Sequence, residues 1–269
     1  MAELKPKVVR IGHLQSLKDN GEKFACLTSY DALTATIFDE AGIDVILVGD
    51  SAADNSLGYS TTLPITLDEM ISFGKAVASS VSRALTVVDL PFGSYETSPA
   101  DALASAIRVM KETGAGAVKL EGGERSAGAI RAITAAGIPV MGHIGFTPQS
   151  VHGLGGFKVQ GRGETSSQLE TDAQAVADAG AFAVVLELVP AELATKITRT
   201  LSIPTIGIGG GNGTDGQILV WTDFAGLSAH APRKFVRKYA DLRSTLLEAA
   251  ATYRQDVISG AFPNESERF

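Results

Sequence analysis

The chain has 269 residues, 45% hydrophobic and 20% charged, with 23 basic against 30 acidic side chains and a net charge of −7. That acidic balance, with no basic run, argues against a nucleic-acid partner, and the one cysteine, Cys26, excludes an internal disulfide and a cysteine-built metal cluster. No stretch approaches the ~20 apolar residues that span a bilayer, and the N-terminal region lacks a signal peptide's apolar core, so a soluble cytoplasmic protein without a membrane partner is expected.

The predicted strands follow at regular spacing. They are "FACLTSY" from Phe24, "DVILVGD" from Asp44, "ALTVVDLPF" from Ala84 and "AGAVKLEGG" from Ala115. Four more follow: "IPVMGHIG" from Ile138, "AFAVVLELVP" from Ala181, "IPTIGIGGG" from Ile203 and "GQILVWTDF" from Gly216. Near-continuous apolar runs of this length read as parallel strands buried on both faces. Helical patterns lie between most of them. The segment 66–84 opens on Thr66 with Glu69 three residues on, a capping box. The segment 98–116 has Ser98 as N-cap, Pro99 at the first helical position and Gly114 as its stop. Ala41-Gly42, Ala136-Gly137 and Ala179-Gly180 each read as a helix ending in glycine before a new strand. "SSQLETDAQAVADAGA" and "PAELATKITRTL" are further helices, and the charged stretch from Pro232 to Ser259 reads as helical. Eight strands with intervening helices predict one (β/α)8 barrel domain over residues 1–269, with extra C-terminal helices, the alternative being a doubly wound open sheet of similar element count.

A barrel places its chemistry at the carboxyl ends of the strands. Strand two ends in Asp50-Ser51, strand three in Asp89, strand four in Lys119 and Glu121, strand five in His143 and strand six in Glu187. Three acids at adjacent strand ends repel unless a positive charge sits among them. Carboxylates without cysteine favour a hard, oxygen-bound cation such as Mg²⁺. Such an ion could take up a 2-oxo acid and acidify the neighbouring C–H. Glu187, inside the most apolar run, is expected either to be desolvated into a base or to cap the helix starting near Pro190. Lys119 either offsets a substrate carboxylate or pairs with Glu121 two residues on. His143 is a candidate hydrogen-bond donor to substrate. "GIGGGNGTDG" lacks a dinucleotide fingerprint and is expected to let substrate approach the backbone. "LGGFKVQGRGE" (154–164) reads as a mobile lid or a surface loop.

These residues also carry a resemblance. "LVGDS", "TLPIT", "DLPFGSY", "VKLEGG", "GHIGFTPQS", "GGFKVQGRG", "LELVP" and "IGIGGG" stand in the order found in the ketopantoate hydroxymethyltransferases, from about residue 7 to 263. The resemblance implies a barrel of the phosphoenolpyruvate-mutase and isocitrate-lyase type. It implies hydroxymethyl transfer from 5,10-methylenetetrahydrofolate to 3-methyl-2-oxobutanoate, in pantothenate biosynthesis. It assigns Asp50, Asp89 and Glu121 to one Mg²⁺ per subunit. Asp50, Ser51, Asp89 and Lys119 are assigned to the oxo acid, and Glu187 to the base. It further implies a homodecamer of two pentameric rings. The chain departs from the family pattern in the 52–59 loop, where Tyr59 stands in place of a histidine, but not at the six matched site positions. The rivals are a lyase or mutase of the same barrel type, an enzyme with Lys119 as a Schiff-base lysine, and a barrel without catalysis.

Overall fold

Eight parallel strands close into a barrel in sequence order in the computed structural model, which describes residues 8–228 and 232–269. The order is α1 (Ile11–Asp19), β1 (Phe24–Thr28), α2 (Ala32–Glu40), β2 (Val45–Val48), α3 (Ala52–Asn55), α4 (Leu67–Ala78), β3 (Leu85–Asp89), α5 (Pro99–Thr113) and β4 (Ala117–Glu121). It continues with α6 (Ala127–Ala135), β5 (Val140–Gly145), α7 (Thr165–Asp178), β6 (Ala183–Glu187), α8 (Ala191–Thr200), β7 (Thr205–Ile208) and β8 (Gly216–Leu219). The barrel closes where Ala25 of β1 meets Gln217 of β8. Every residue of β2, β3, β4 and β7 is buried, as continuous apolar runs require. Ala25 and Gln217, at the closing seam, are exposed.

The helix ends follow the local chemistry of the sequence. Thr66 and Glu69 form the full reciprocal capping box of α4. Ser98 caps α5 by accepting from the Asp101 N–H, and Gly114 ends the same helix at φ 78°. Residues 79–84, expected as helix, instead turn into β3 and are held by Asp39 of α2. Its carboxylate accepts from the backbone N–H groups of Ser82, Arg83 and Ala84. On the same side of the barrel, Lys18 of α1 donates to the Thr198 carbonyl and pairs with Asp215 at 2.9 Å, just ahead of β8.

The glycine-rich run after β7 has a packing cause. A side chain at Gly211 or Gly213 would collide with Ala191 or Thr195 of α8, so these glycines make room for the helix. The chain divides into two compact units, one ending at Leu219 and a second from Val220 to Phe269. The second holds α9 (Trp221–Phe224) and α10 (Leu242–Ser259). Its helix begins at Leu242, ten residues later than the charge pattern from Pro232 suggested. Within it Phe224 stacks on Tyr239 at 5.2 Å. Among the described residues no helix is long and apolar enough to cross a membrane.

Candidate active site

The carboxyl ends of β2 to β6 bring six ionisable side chains together. Parallel pairing sets Asp89 opposite Lys119, Glu121 opposite His143, and Gly145 opposite Glu187. Side chains two apart on a strand share a face, so Lys119 and Glu121 point the same way. Asp50 joins them from the turn after β2, where its backbone N–H donates to Asp89 Oδ2 at 3.0 Å. Gly49 permits that approach: a Cβ there would lie 3.0 Å from Ser51 Oγ and 3.6 Å from Asp89 Oδ2.

Lys119 pairs with Asp89, not with Glu121 as spacing along β4 suggested. Its Nζ lies 2.8 Å from Asp89 Oδ1, and both side chains are buried. The contact is a charge contact without hydrogen-bond alignment, since Oδ1 has no aligned donor. Burial works against the Lys119 ammonium, but Asp89, Asp50 and Glu121 outweigh it and raise its pKa. Lys119 is therefore a fixed cation and a poor Schiff-base nucleophile.

Four carboxylates, Asp50, Asp89, Glu121 and Glu187, face one ammonium and one imidazole. His143 lies 3.4 Å from Glu121 through Nδ1 and 3.2 Å from Glu187 through Nε2. Its Nδ1 is also 3.4 Å from Lys119 Nζ. Burial and the Lys119 charge push the imidazole down, but Glu121 and Glu187 lift it to about 9. His143 thus sits between the two glutamates, with its Nε2 making no aligned hydrogen bond. Burial, reinforced by the Glu121 charge, pushes Asp50 up to about 6. Burial also lifts Asp89 to about 6, against the pull of Lys119. Asp39, at the opposite end of the barrel, shows the contrast. Burial opposes its charge too, but donations from Ala84, Ser82 and Arg83 hold it below the usual carboxylate range. The strand-end acids lack that saturation, and Asp89 Oδ1 and Glu121 Oε1 have no aligned donor.

A buried, carboxylate-rich set with an acidic excess, in which Glu121 Oε1 has no aligned donor and Asp89 Oδ1 has only the Lys119 ammonium, fits a hard divalent cation. Asp50, Asp89 and Glu121 are the residues that could hold it. As placed, no three acidic, histidine or cysteine side chains among the described residues converge on one ion.

Glu187 is at the rim. Its side chain is 13% exposed, against 1% for Glu121, so it is less desolvated than its apolar run suggested. The backbone next to it is unusual: Leu188 sits at φ 51°, the left-handed region, which costs roughly 1–2 kcal/mol for a side chain with a Cβ. Its N–H donates to Ile208 and its carbonyl accepts from Gln160, which hold that turn. The Gln160 contact ties the predicted lid beside Glu187, and Phe157 packs edge-on against Phe146 at 4.7 Å.

Three partners were not singled out from sequence. Ser51 Oγ lies 2.6 Å from the buried Tyr30 hydroxyl, which accepts from Thr28. Gln149 and Tyr95 stand between Asp50 and Glu121. Gln149 was visible in "GFTPQS", but a glutamine in a loop gives no signal until the fold places it. Tyr59, in the divergent loop, donates to Glu69 of the α4 capping box at 2.9 Å.

The profile of the family described as ketopantoate hydroxymethyltransferase matches residues 8–265. The 3-methyl-2-oxobutanoate hydroxymethyltransferase of Leifsonia xyli subsp. xyli is 61% identical over 264 residues, covering 98% of this chain and 95% of that protein. The protein of the same name from Corynebacterium efficiens is 60% identical over 269 residues, covering both chains completely. Among solved structures, phosphonopyruvate hydrolase in complex with oxalate and Mg²⁺ superposes with a TM-score of 0.61 at 15% identity, over 97% of this chain and 93% of that one. The 2,3-dimethylmalate lyase, of the PEP mutase/isocitrate lyase superfamily, gives 0.61 at 15% identity, over 97% and 92%. At that identity the likeness is one of fold.

Proposed function

The chain belongs to the ketopantoate hydroxymethyltransferase family, and from that premise we propose that it moves a hydroxymethyl group from 5,10-methylenetetrahydrofolate to 3-methyl-2-oxobutanoate. The products are 2-dehydropantoate and tetrahydrofolate, with water supplying the hydroxyl oxygen. The observation that carries this reading is the gathering of Asp50, Asp89, Lys119, Glu121, His143 and Glu187 at one end of the barrel.

Asp50, Asp89 and Glu121 would hold Mg²⁺, which when bound draws electrons from the keto oxygen and acidifies C3. Lys119, kept charged by its carboxylate neighbours, offsets the substrate carboxylate. Ser51, oriented by Tyr30, donates to the oxo acid. Glu187 takes the C3 proton from the rim, where the substrate enters, and the His143 imidazole beside it, 3.2 Å away through Nε2, offsets its charge. Water releases the one-carbon unit from both folate nitrogens as formaldehyde, leaving tetrahydrofolate, and C3 adds to that carbon, whose oxygen takes up a proton to become the hydroxyl. No protein nucleophile is needed, which agrees with an ion-paired Lys119. The chain is also proposed to assemble as a homodecamer of two pentamers. The support is α10, which buries no side chain yet carries exposed Leu246, Leu247, Tyr253, Val257 and Ile258.

The test follows the C3 proton of 3-methyl-2-oxobutanoate by NMR in D₂O, with and without the folate. Exchange should require Mg²⁺ and disappear with EDTA, and 2-dehydropantoate should form only with 5,10-methylenetetrahydrofolate. Exchange without any folate-dependent product would favour a lyase or mutase and sink the transferase reading. Borohydride trapping of substrate on Lys119 would overturn the assigned role of that lysine.

A further inference from the structure

We propose that Gln149 is a positioning residue that sets the Asp50 and Glu121 carboxylates as a pair for one divalent cation. This rests on the carboxylate–cation reading given above.

Gln149 lies on the short turn Pro148–Ser150 after β5 and is buried. Its side-chain Nε2 donates to Asp50 Oδ2 at 3.0 Å and to the Leu90 carbonyl at 3.1 Å. Its backbone N–H donates to Glu121 Oε2 at 3.0 Å. Its Oε1 accepts from the Tyr95 hydroxyl at 2.6 Å, and that hydroxyl accepts from the Glu121 N–H at 3.3 Å. Asp50 Oδ2 and the Leu90 carbonyl are both acceptors, so the amide fits in one orientation only. The result is a closed ring of hydrogen bonds through Glu121, Tyr95 and Gln149, with one branch to Asp50.

One residue thus engages one oxygen of each of two carboxylates that come from strands far apart in sequence. Glu121 keeps its second oxygen, Oε1, without an aligned donor. The two acids repel: the Glu121 charge is the largest cause after burial of the raised Asp50 pKa. Gln149 offers both a donor without adding a positive charge, so the anionic character that attracts a cation survives. A lysine or arginine there would satisfy the same oxygens and neutralise the site. Tyr95, held protonated by burial and the Glu121 charge, fixes the amide from behind.

The experiment titrates Mn²⁺ alone into cation-free protein, reading free Mn²⁺ by EPR, for wild type, Gln149→Leu and Tyr95→Phe, with Tm taken in EDTA. Gln149→Leu is expected to weaken Mn²⁺ binding about 10- to 100-fold, as loss of outer partners of a metal ligand does. Tyr95→Phe, which removes one hydrogen bond to the amide, is expected to weaken it about fivefold. Unchanged Mn²⁺ affinity in both variants, with only a lower Tm, would overturn the proposal and make Gln149 a packing residue. Should Gln149→Leu fail to fold, Tyr95→Phe alone decides between these outcomes. A wild-type protein that takes up no Mn²⁺ would overturn the carboxylate–cation reading itself.

Discussion

Replacing Lys119 by methionine removes the one fixed cation among the strand-end acids while keeping most of its volume. Lys119 and Asp89 are 2.8 Å apart, with 5% and 2% of their side chains exposed. Removing one partner of so buried a pair leaves an uncompensated charge and costs about 3–5 kcal/mol. A chain of this size loses ~2–4 °C of Tm per kcal/mol, so a fall of about 6–20 °C is expected near neutral pH. The loss depends on pH, and its sign is fixed by Asp89. That carboxyl titrates near 6 even with Lys119 beside it, and without the lysine it moves higher. A carboxyl raised above its unfolded value binds its proton more tightly when folded. The folded state therefore loses stability as pH rises through that window and regains it as pH falls. In EDTA, urea and thermal unfolding followed by circular dichroism should show the full Lys119→Met deficit at about pH 8 and at most half of it at about pH 5. Adding Asp89→Asn should recover much of the deficit at the higher pH. An equal deficit at both pH values, with no recovery in the double variant, would refute the electrostatic account and leave packing as the cause.

Glu187→Gln keeps the shape of the side chain and removes its basicity. C3 proton exchange followed by NMR should fall by about 10² or more, the usual loss for a general base, while substrate protection against thermal unfolding persists; unchanged exchange removes Glu187 from the chemistry. The same substitution strips one of the two carboxylates that lift His143, so the imidazole should titrate below about 9, as read by its NMR shifts. Self-association is checked by light scattering, with a particle close to ten times the 27.9 kDa subunit mass expected. A monomer at micromolar concentration would leave the exposed face of α10 without its proposed partner.

Most of the barrel is legible because its signals are local. The strands are apolar runs that must be buried, and Thr66 with Glu69, Ser98, Gly114 and the Ala-Gly stops each act within one turn of chain. The errors fall where tertiary contacts decide. Residues 79–84 have a helical pattern, but Asp39, some forty residues earlier, offers their N–H groups a carboxylate. At Gly211 and Gly213, after β7, α8 passes too close for a side chain, a packing cause that the sequence does not display.

The site divides along the same line. Asp50, Asp89, Glu121 and Glu187 can be found from sequence because an ionisable group closing an apolar strand is costly unless something receives it. Which group receives it is a matter of cross-strand register, and register is not written in any one strand. Spacing along β4 offered Lys119 a substrate carboxylate or Glu121. The pairing of Asp89 with Lys119 gave the lysine to β3 instead and left Glu121 to His143 and Gln149. A slip of one residue between β3 and β4 would turn Lys119 away from the barrel end and leave Asp89 buried without a cation. The same register that closes the barrel therefore sets the charge balance of the site. It gives Asp89 Oδ1 the Lys119 ammonium and leaves Glu121 Oε1 without an aligned donor.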